Sequence, residues 1–393
     1  MEDKKLVPKK IFREHKDDSE WSYFNWKDTV DISKNMVDPR NEEYSDLPHI
    51  GPGNIKSFTG LLLNNINTVK EDNLISGKFH FNTGDIVYGK INPQLGKYTY
   101  ALYEGLASAD TYILNSKNGL EQRFLFMLLQ TKHFFNYSVS VSKRSGMPKI
   151  NRDELNEYTF CAPTKEEQQK IGAFFKVLDE RIANQERKIA KVKALKAAYL
   201  TEMFPQEGET VPKRRFKGFE GEWNETILDS VLAYEQPTDY IVDEDSYDDS
   251  YDIPVLTAGQ SFLLGYTNEK HGIKKANVNN SVIIFDDFTT SSHHVDFFFK
   301  VKSSALKILS SNSRKYSTYF AYLILKNIDY TPESHERHWI SIFSNFEVMT
   351  PSMEEQQKIG AFFKNLDNQI ETEEKKLDKL QKMKEAYLEE MFV

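Results

Sequence analysis

At 393 residues the chain has room for two domains, and a hydrophobic share of 39%, with 27 Phe and 20 Tyr, supplies apolar mass for real cores. One cysteine, Cys161, excludes an internal disulfide framework and any metal site built on a cysteine cluster. The net charge of −8 speaks against a uniformly basic surface, although much of the excess acid is gathered in DYIVDEDSYDDSYD, Asp239 to Asp252, which reads as a solvated loop or interdomain segment.

In chain order, the opening MEDKKLVPKK lacks the apolar stretch of a signal peptide, and no apolar run reaches the length of a membrane span, so a soluble, cytoplasmic protein is expected. Strand-like runs follow at Asp85–Tyr88 and Tyr98–Tyr103, then a helical run at Glu121–Phe135. The next segment, Pro163–Phe204, predicts one long helix. Thr164 and Glu167 form a capping box at its start, and it has no proline after Pro163. Apolar residues recur in it at spacings of three and four: Ile171, Phe175, Leu178, Ile182, Ile189, Val192, Tyr199 and Met203. Beyond the acidic stretch come strand-like Ser281–Phe285 and Asp296–Val301, then a helical run at Tyr316–Ile328. The chain closes on a second long helical segment, Pro351–Phe392, capped by Ser352 and Glu355.

The two long segments are copies. They lie 188 residues apart and align without a gap, with 25 of 42 positions identical. The flanking regions echo each other weakly, as LVPKK near Val7 and TVPKR near Val211, each followed by a tryptophan, Trp21 and Trp223. The chain is therefore two half-molecules, each a variable globular part followed by a near-identical helical tail. Two heptad-patterned helices in one chain favour pairing with each other, and an antiparallel pairing would relate the halves by a pseudo-twofold. The bland alternative is a plain coiled-coil dimerisation device.

The motif PxxEEQQKIGAFFxxLD, present twice, resembles the central and C-terminal repeats of the specificity subunits of type I restriction–modification systems. So do Phe216–Trp223 (FKGFEGEW), Thr83–Tyr88, Ser145–Asn151, Ile253–Gly259, Leu264–Asn268 and Val282–Thr290. The resemblance spans nearly the whole chain. It departs at Phe12-Arg-Glu-His, where the second half has FKGFEGEW, and in the acidic stretch. It implies a mixed α/β (α+β) fold with two target-recognition domains, at 1–162 and 206–350, separated by two long antiparallel coiled-coil helices, at 163–205 and 351–393. It also implies binding to a bipartite sequence in double-stranded DNA, two methyltransferase subunits docked around the helices, and restriction/translocase subunits joining that core. S-adenosylmethionine is expected on the partner subunits and no cofactor on this chain.

For a DNA reader, phosphate contacts position the domain and base contacts specify sequence, so polar and basic loop residues are the candidates. In the first half these are Lys90, Asn92, Gln94 and Lys97, then Lys143, Arg144, Ser145 and Lys149, with Arg152 beside them. In the second half they are Lys274, Lys275, the polar run Thr289, Thr290, Ser291, Ser292, His293 and His294, and then Arg314, Lys315, His335, Arg337 and His338. No carboxylate or cysteine stands at ligand spacing from the adjacent histidines, so no metal is expected. The letter-for-letter repeat points to docking of two identical partners through Glu166, Glu167, Gln168, Gln169, Phe174 and Phe175 and through Glu354, Glu355, Gln356, Gln357, Phe362 and Phe363. Catalytic signatures are missing: Asn92-Pro93-Gln94-Leu95 fails as an Asn/Asp-Pro-Pro-aromatic motif, Gly51-Pro-Gly53 lacks a third glycine, and no Walker A sequence occurs. The expectation is a non-catalytic specificity subunit; the alternatives are a protein-binding scaffold and a self-contained nuclease.

Overall fold

The structure is a computed structural model that describes residues 7–12, 21–143, 146–257, 262–332 and 337–393. The chain divides into two compact units, residues 1–186 with 375–393, and residues 187–374. Both divisions fall inside the long helices and not at their ends, so each unit owns half of each helix.

In the first unit the strands are β1 (Ser22–Asn25), β2 (Val30–Ile32), β3 (Met36–Val37), β4 (His49–Ile50), β5 (Lys78–Phe81), β6 (Ile86–Gly89), β7 (Tyr98–Tyr100), β8 (Gly105–Ala107), β9 (Thr111–Ser116) and β10 (Thr159–Ala162). They pair as an antiparallel sheet β2-β9-β6-β7, a mixed sheet β3-β5-β8-β4 in which β4 and β8 run parallel, and the ribbon β1-β10. The helices are α1 (Trp26–Thr29), α2 (Gln122–Leu128), α3 (Lys132–Val141), α4 (Arg152–Asn156) and the long α5 (Lys165–Glu202). The helical run expected over Glu121–Phe135 is two helices, because Thr131 caps a new start by accepting from the N–H of Phe134.

The second unit repeats the plan. Its strands are β11 (Asn224–Ile227), β12 (Leu232–Glu235), β13 (Ile253–Leu256), β14 (Leu263–Thr267), β15 (Val282–Asp286), β16 (Ser292–Val295), β17 (Lys300–Val301), β18 (Leu306–Ser311) and β19 (Glu347–Thr350). Sheet β12-β18-β15-β16 matches β2-β9-β6-β7, β14-β13-β17 keeps a parallel pair, and β11-β19 matches β1-β10. The helices are α6 (Leu228–Val231), α7 (Thr318–Asn327), α8 (His338–Ser341) and the long α9 (Met353–Glu390). The strand expected over Asp296–Val301 is only its last two residues; Phe297 and Phe298 stand exposed before β17.

Each unit builds its own core around the helix halves it holds. In the first, Ile171, Phe175, Leu178 and Ile182 of α5 pack with Trp21, Phe124 and Met391, and Leu377, Leu380 and Tyr387 of α9 close over them. In the second, Val192 and Met203 join Ile359, Phe363, Leu366, Phe320 and Trp339. Contacts run in opposite directions along the two helices. In the first unit Phe174 meets Tyr387 and Asp179 meets Lys384. In the second, Lys193 meets Glu374, Lys196 meets Asp367 and Tyr199 meets Phe362. The helix halves are therefore antiparallel within each unit. Asp179–Lys384 and Asp367–Lys196 are one interaction made twice, 188 residues apart. Each helix has 38 residues, about 57 Å at 1.5 Å per residue.

Candidate functional site

In the first unit the end of β6 and the segment before α4 are stitched together. The Ile150 N–H donates to the Lys90 carbonyl (3.0 Å), the Asn92 N–H donates to the Pro148 carbonyl (2.8 Å), and Ile91 bridges Lys149. This sets Lys149 across the strand bridge from the Lys90 segment, and Lys90 and Arg152 lie beside Tyr112 of β9. The Lys90 ammonium lies 5.1 Å and the Arg152 guanidinium 5.3 Å from the centre of that ring. Arg152 is locked by donating to the carbonyls of Ile32 (2.6 Å) and Ser33 (2.8 Å). Burial pulls the Lys90 amine below its ordinary value; Asp110 opposes that pull, and the charges of Lys149 and Arg152 add to it. Asn92 takes a left-handed conformation (φ 50°) that sharply turns the chain, and exposed Gln94 donates to its side chain. Lys97 is different from its neighbours, since its ammonium caps the carbonyl of Ile55 and serves the fold. Lys143 is exposed, while Arg144 and Ser145 lie outside the described residues.

In the second unit the polar run is the turn of the β15–β16 hairpin. The Asp286 carboxylate accepts from the N–H groups of Phe288 (2.9 Å) and Thr289 (3.2 Å) and from the Thr289 hydroxyl (2.6 Å). Thr289, Thr290 and Ser291 sit at the accessible tip, with Thr290 at φ 60°, but Ser292 is buried at the base. The two histidines do not act as surface cations. His293 stacks on Phe262, ring centres 4.1 Å apart, and burial lowers its pKa; burial also brings His294, packed on Tyr319 and Tyr322, down to about 4. Both are neutral near pH 7, which removes them as phosphate anchors.

His338 also fails as a surface contact. It is fully buried and fills a core position, its N–H donating to the Asp287 carbonyl (2.9 Å). Lys274 is already spent, since its ammonium pairs with Glu235 and lies over Tyr240. Lys275, Lys315 and Arg337 are exposed, and His335 lies outside the described residues. Arg314 lines a polar groove of about 690 Å³ with Asn280, Ser313, Gln357 and Lys364.

The expected docking set splits on burial. Glu166, Gln169, Glu354 and Gln357 are exposed. The others serve their own unit. Gln168 accepts from the Glu121 N–H (2.9 Å) and donates to the Pro163 carbonyl (2.9 Å). Gln356 does the same with Ser317 (3.1 Å) and Pro351 (2.9 Å). These bonds tie each long helix to the start of α2 or α7. Glu355 is buried and takes both Nε and Nη2 of Arg215 at 2.7 Å, and Glu167 is likewise buried. Phe175 and Phe363 are core residues; half-buried Phe174 and Phe362 pack on Tyr387 and Tyr199. Sequence reasoning missed Arg215, Tyr112 and the buried pair Lys307–Asp287, because their partners come from distant strands and loops.

The acidic stretch is tied within the second unit and is not a free linker. Asp245 pairs with Lys302, and the Asp248 N–H donates to the Tyr266 carbonyl (3.1 Å). Asp243, Glu269 and His271 place ligand atoms within 4.8 Å of one another. Glu269 already receives buried Lys300 and the N–H groups of Asp243 and Glu244. No helix among the described residues is long and apolar enough to cross a membrane.

A duplicated α/β module, each copy ending in a long helix and offering polar loops and basic groups on its surface, defines a two-module binding protein. This chain belongs to the type I restriction modification DNA specificity domain family, whose model matches residues 18–194 and again 220–382. It is 44% identical over 144 residues to the EcoR124I/EcoR124II specificity subunit of Escherichia coli, covering 36% of this chain and 35% of that protein. It is 31% identical over 194 residues to the EcoDI specificity subunit of the same species, covering 48% and 42%. The chain thus spans less than half the length of these two curated relatives in the matched regions. A putative MjaX specificity subunit of Methanocaldococcus jannaschii is 20% identical over 360 residues, 82% of this chain and 80% of that one. The fold is that of the crystal structure of a type I restriction-modification S subunit from M. genitalium, with a TM-score of 0.69, 15% identity and 99% of both chains covered.

Proposed function

We propose that this chain is the sequence-specific DNA-recognition subunit of a type I restriction–modification complex and performs no catalysis itself. The observation that carries the reading is the duplication: two α/β modules of one plan with different surface loops, each fused to a near-identical helix. Different loops on one frame suit two different half-sites, whereas identical helices suit two identical partners. Each module reads a few base pairs, positioned by phosphate contacts and specified by base-edge contacts. In the first module Asn92, Gln94, Lys90 and Lys149 are the candidates, and in the second the hairpin tip Thr289–Ser291, Arg314 and Arg337.

Two methyltransferase subunits dock on the exposed helix faces that hold Glu166 and Gln169 in one copy and Glu354 and Gln357 in the other. They bring S-adenosylmethionine and flip out the target base, and the restriction/translocase subunits join that core. The assembly works in the cytoplasm. Replacing residues 1–162 with those of a relative tests the reading. One half of the target changes; a change in both halves, or in neither, rejects the two-module scheme.

A further inference from the structure

The two modules share a frame closely enough to compare them position by position. The bond from Ile150 N–H to the Lys90 carbonyl in the first module is the bond from His338 N–H to the Asp287 carbonyl in the second. Across the sheets, Tyr88 faces Tyr112 as Phe285 faces Lys307. Lys90 therefore corresponds to Asp287, Tyr112 to Lys307 and Lys149 to Arg337.

The chemistry differs at two of these three positions, while Lys149 and Arg337 are both exposed cations. In the second module the site is closed and neutral. Lys307 and Asp287 are 0% and 2% exposed, 3.5 Å apart, with Gln236 on the ammonium and the Trp339 N–H on the carboxylate. Each of these two charges is answered inside the protein, so neither is left for a ligand. In the first module a lysine replaces the aspartate and a tyrosine replaces the buried lysine. Lys90 and Lys149 then stand beside Arg152 with no ion pair to any of the three among the described residues, and exposed Asp110 is the carboxylate that acts on Lys90. Three cations gathered by backbone bonds and an aromatic face repel one another. Such a cluster is stabilised by an anion between them.

We propose that Lys90, lying over Tyr112 and backed by Arg152, grips backbone phosphate of duplex DNA together with Lys149 in the first module, and that the second module keeps only Arg337 of this set. The inference rests on the DNA-recognition reading and adds an asymmetry to it. The half-site under the first module is held in part by charge and is loosened first by salt. Arg152 is a positioning residue, since its guanidinium is committed to the carbonyls of Ile32 and Ser33.

The experiment is the salt dependence of duplex-DNA affinity for the full chain, alone and with its methyltransferase subunit. Variants are Lys149→Gln, the double Lys90→Gln/Lys149→Gln, and Lys70→Gln as an exposed control of the same charge change. Thermal melting confirms that each is folded, and Lys149→Gln keeps the test open if the double variant is not. The slope of log affinity against log salt should flatten by roughly 1 to 2 in the double variant and by about 1 in Lys149→Gln, at ~0.9 per phosphate. It should not move in Lys70→Gln. An unchanged slope in the folded variants, or an equal change in Lys70→Gln, overturns the clamp while leaving DNA recognition intact. If the unmodified chain binds no duplex in either form, the DNA-recognition reading fails and the clamp with it.

Discussion

Gly172 and Gly360 occupy the same place in the repeated motif and are both buried, yet the same substitution has opposite consequences at the two. A Cβ added at Gly172 would lie 2.8 Å from the Cβ of Arg123 and 3.1 Å from the Glu121 carboxylate that caps α2. Neither is the loose end of a long side chain, so the start of α2 must move. At Gly360 the nearest atoms are Tyr319 Cδ1 at 3.6 Å and Ser317 Oγ at 3.9 Å, which is ordinary contact. Alanine in a helix interior gains about 1 kcal/mol over glycine, and overpacking costs about 1–3 kcal/mol. Gly360→Ala therefore stabilises its helix by up to ~1 kcal/mol, and Gly172→Ala destabilises by about 1 kcal/mol. The gap of ~2 kcal/mol is about 30-fold in a local opening constant. Amide hydrogen exchange resolved along residues 165–186 and 353–374 reads it, and avoids assuming that a two-unit chain melts in one step. Equal protection in the two variants would refute the packing argument.

Arg215→Ala leaves Glu355 buried without its partner and should cost about 3–5 kcal/mol, whereas replacing both residues with leucine should cost far less; urea melts followed by exchange in the second unit compare them. Gln168→Ala and Gln356→Ala each remove a buried tie between a long helix and the start of α2 or α7, at about 1–3 kcal/mol, seen as lowered melting temperatures. His294 has a folded pKa of about 4 against 6.5 unfolded. Its protonation thus favours the unfolded chain; its contribution is whole above about pH 6.5 and is lost as pH falls toward 4. The second unit should weaken over that window by up to ~3 kcal/mol, a His294→Gln variant should weaken less, and a His294 ring titrating near 6.5 by NMR would contradict this.

The long helices were legible because their signal is local: a capping threonine or serine, an apolar period, and no proline after the start. The modules were half legible. The strands at Ile86–Gly89 and Val282–Asp286 announce themselves as β-branched runs, but the pairing β2-β9-β6-β7 is set by contacts across the module. The same limit governed the site. Lys90 and Lys149 could be named as basic loop residues, but only the bridge between Ile91 and Lys149 puts them together. Repetition itself misled at Gln168, Gln356 and Glu355. The two glutamines make one interaction twice, each inside its own unit, and Glu355 pairs with Arg215 inside the second. His338 misled because its charged neighbourhood suggests surface, while its backbone bond to Asp287 assigns it to the core.

The most direct measurement of whether this chain directs partner subunits to a DNA sequence is to express it with a methyltransferase subunit of a type I system, purify the complex, and map methylated adenines in DNA with and without the chain. The expected result is a stable complex and methylation at one split sequence that appears only when both proteins are present. The same adenines modified without this chain, or no complex at all, would contradict it.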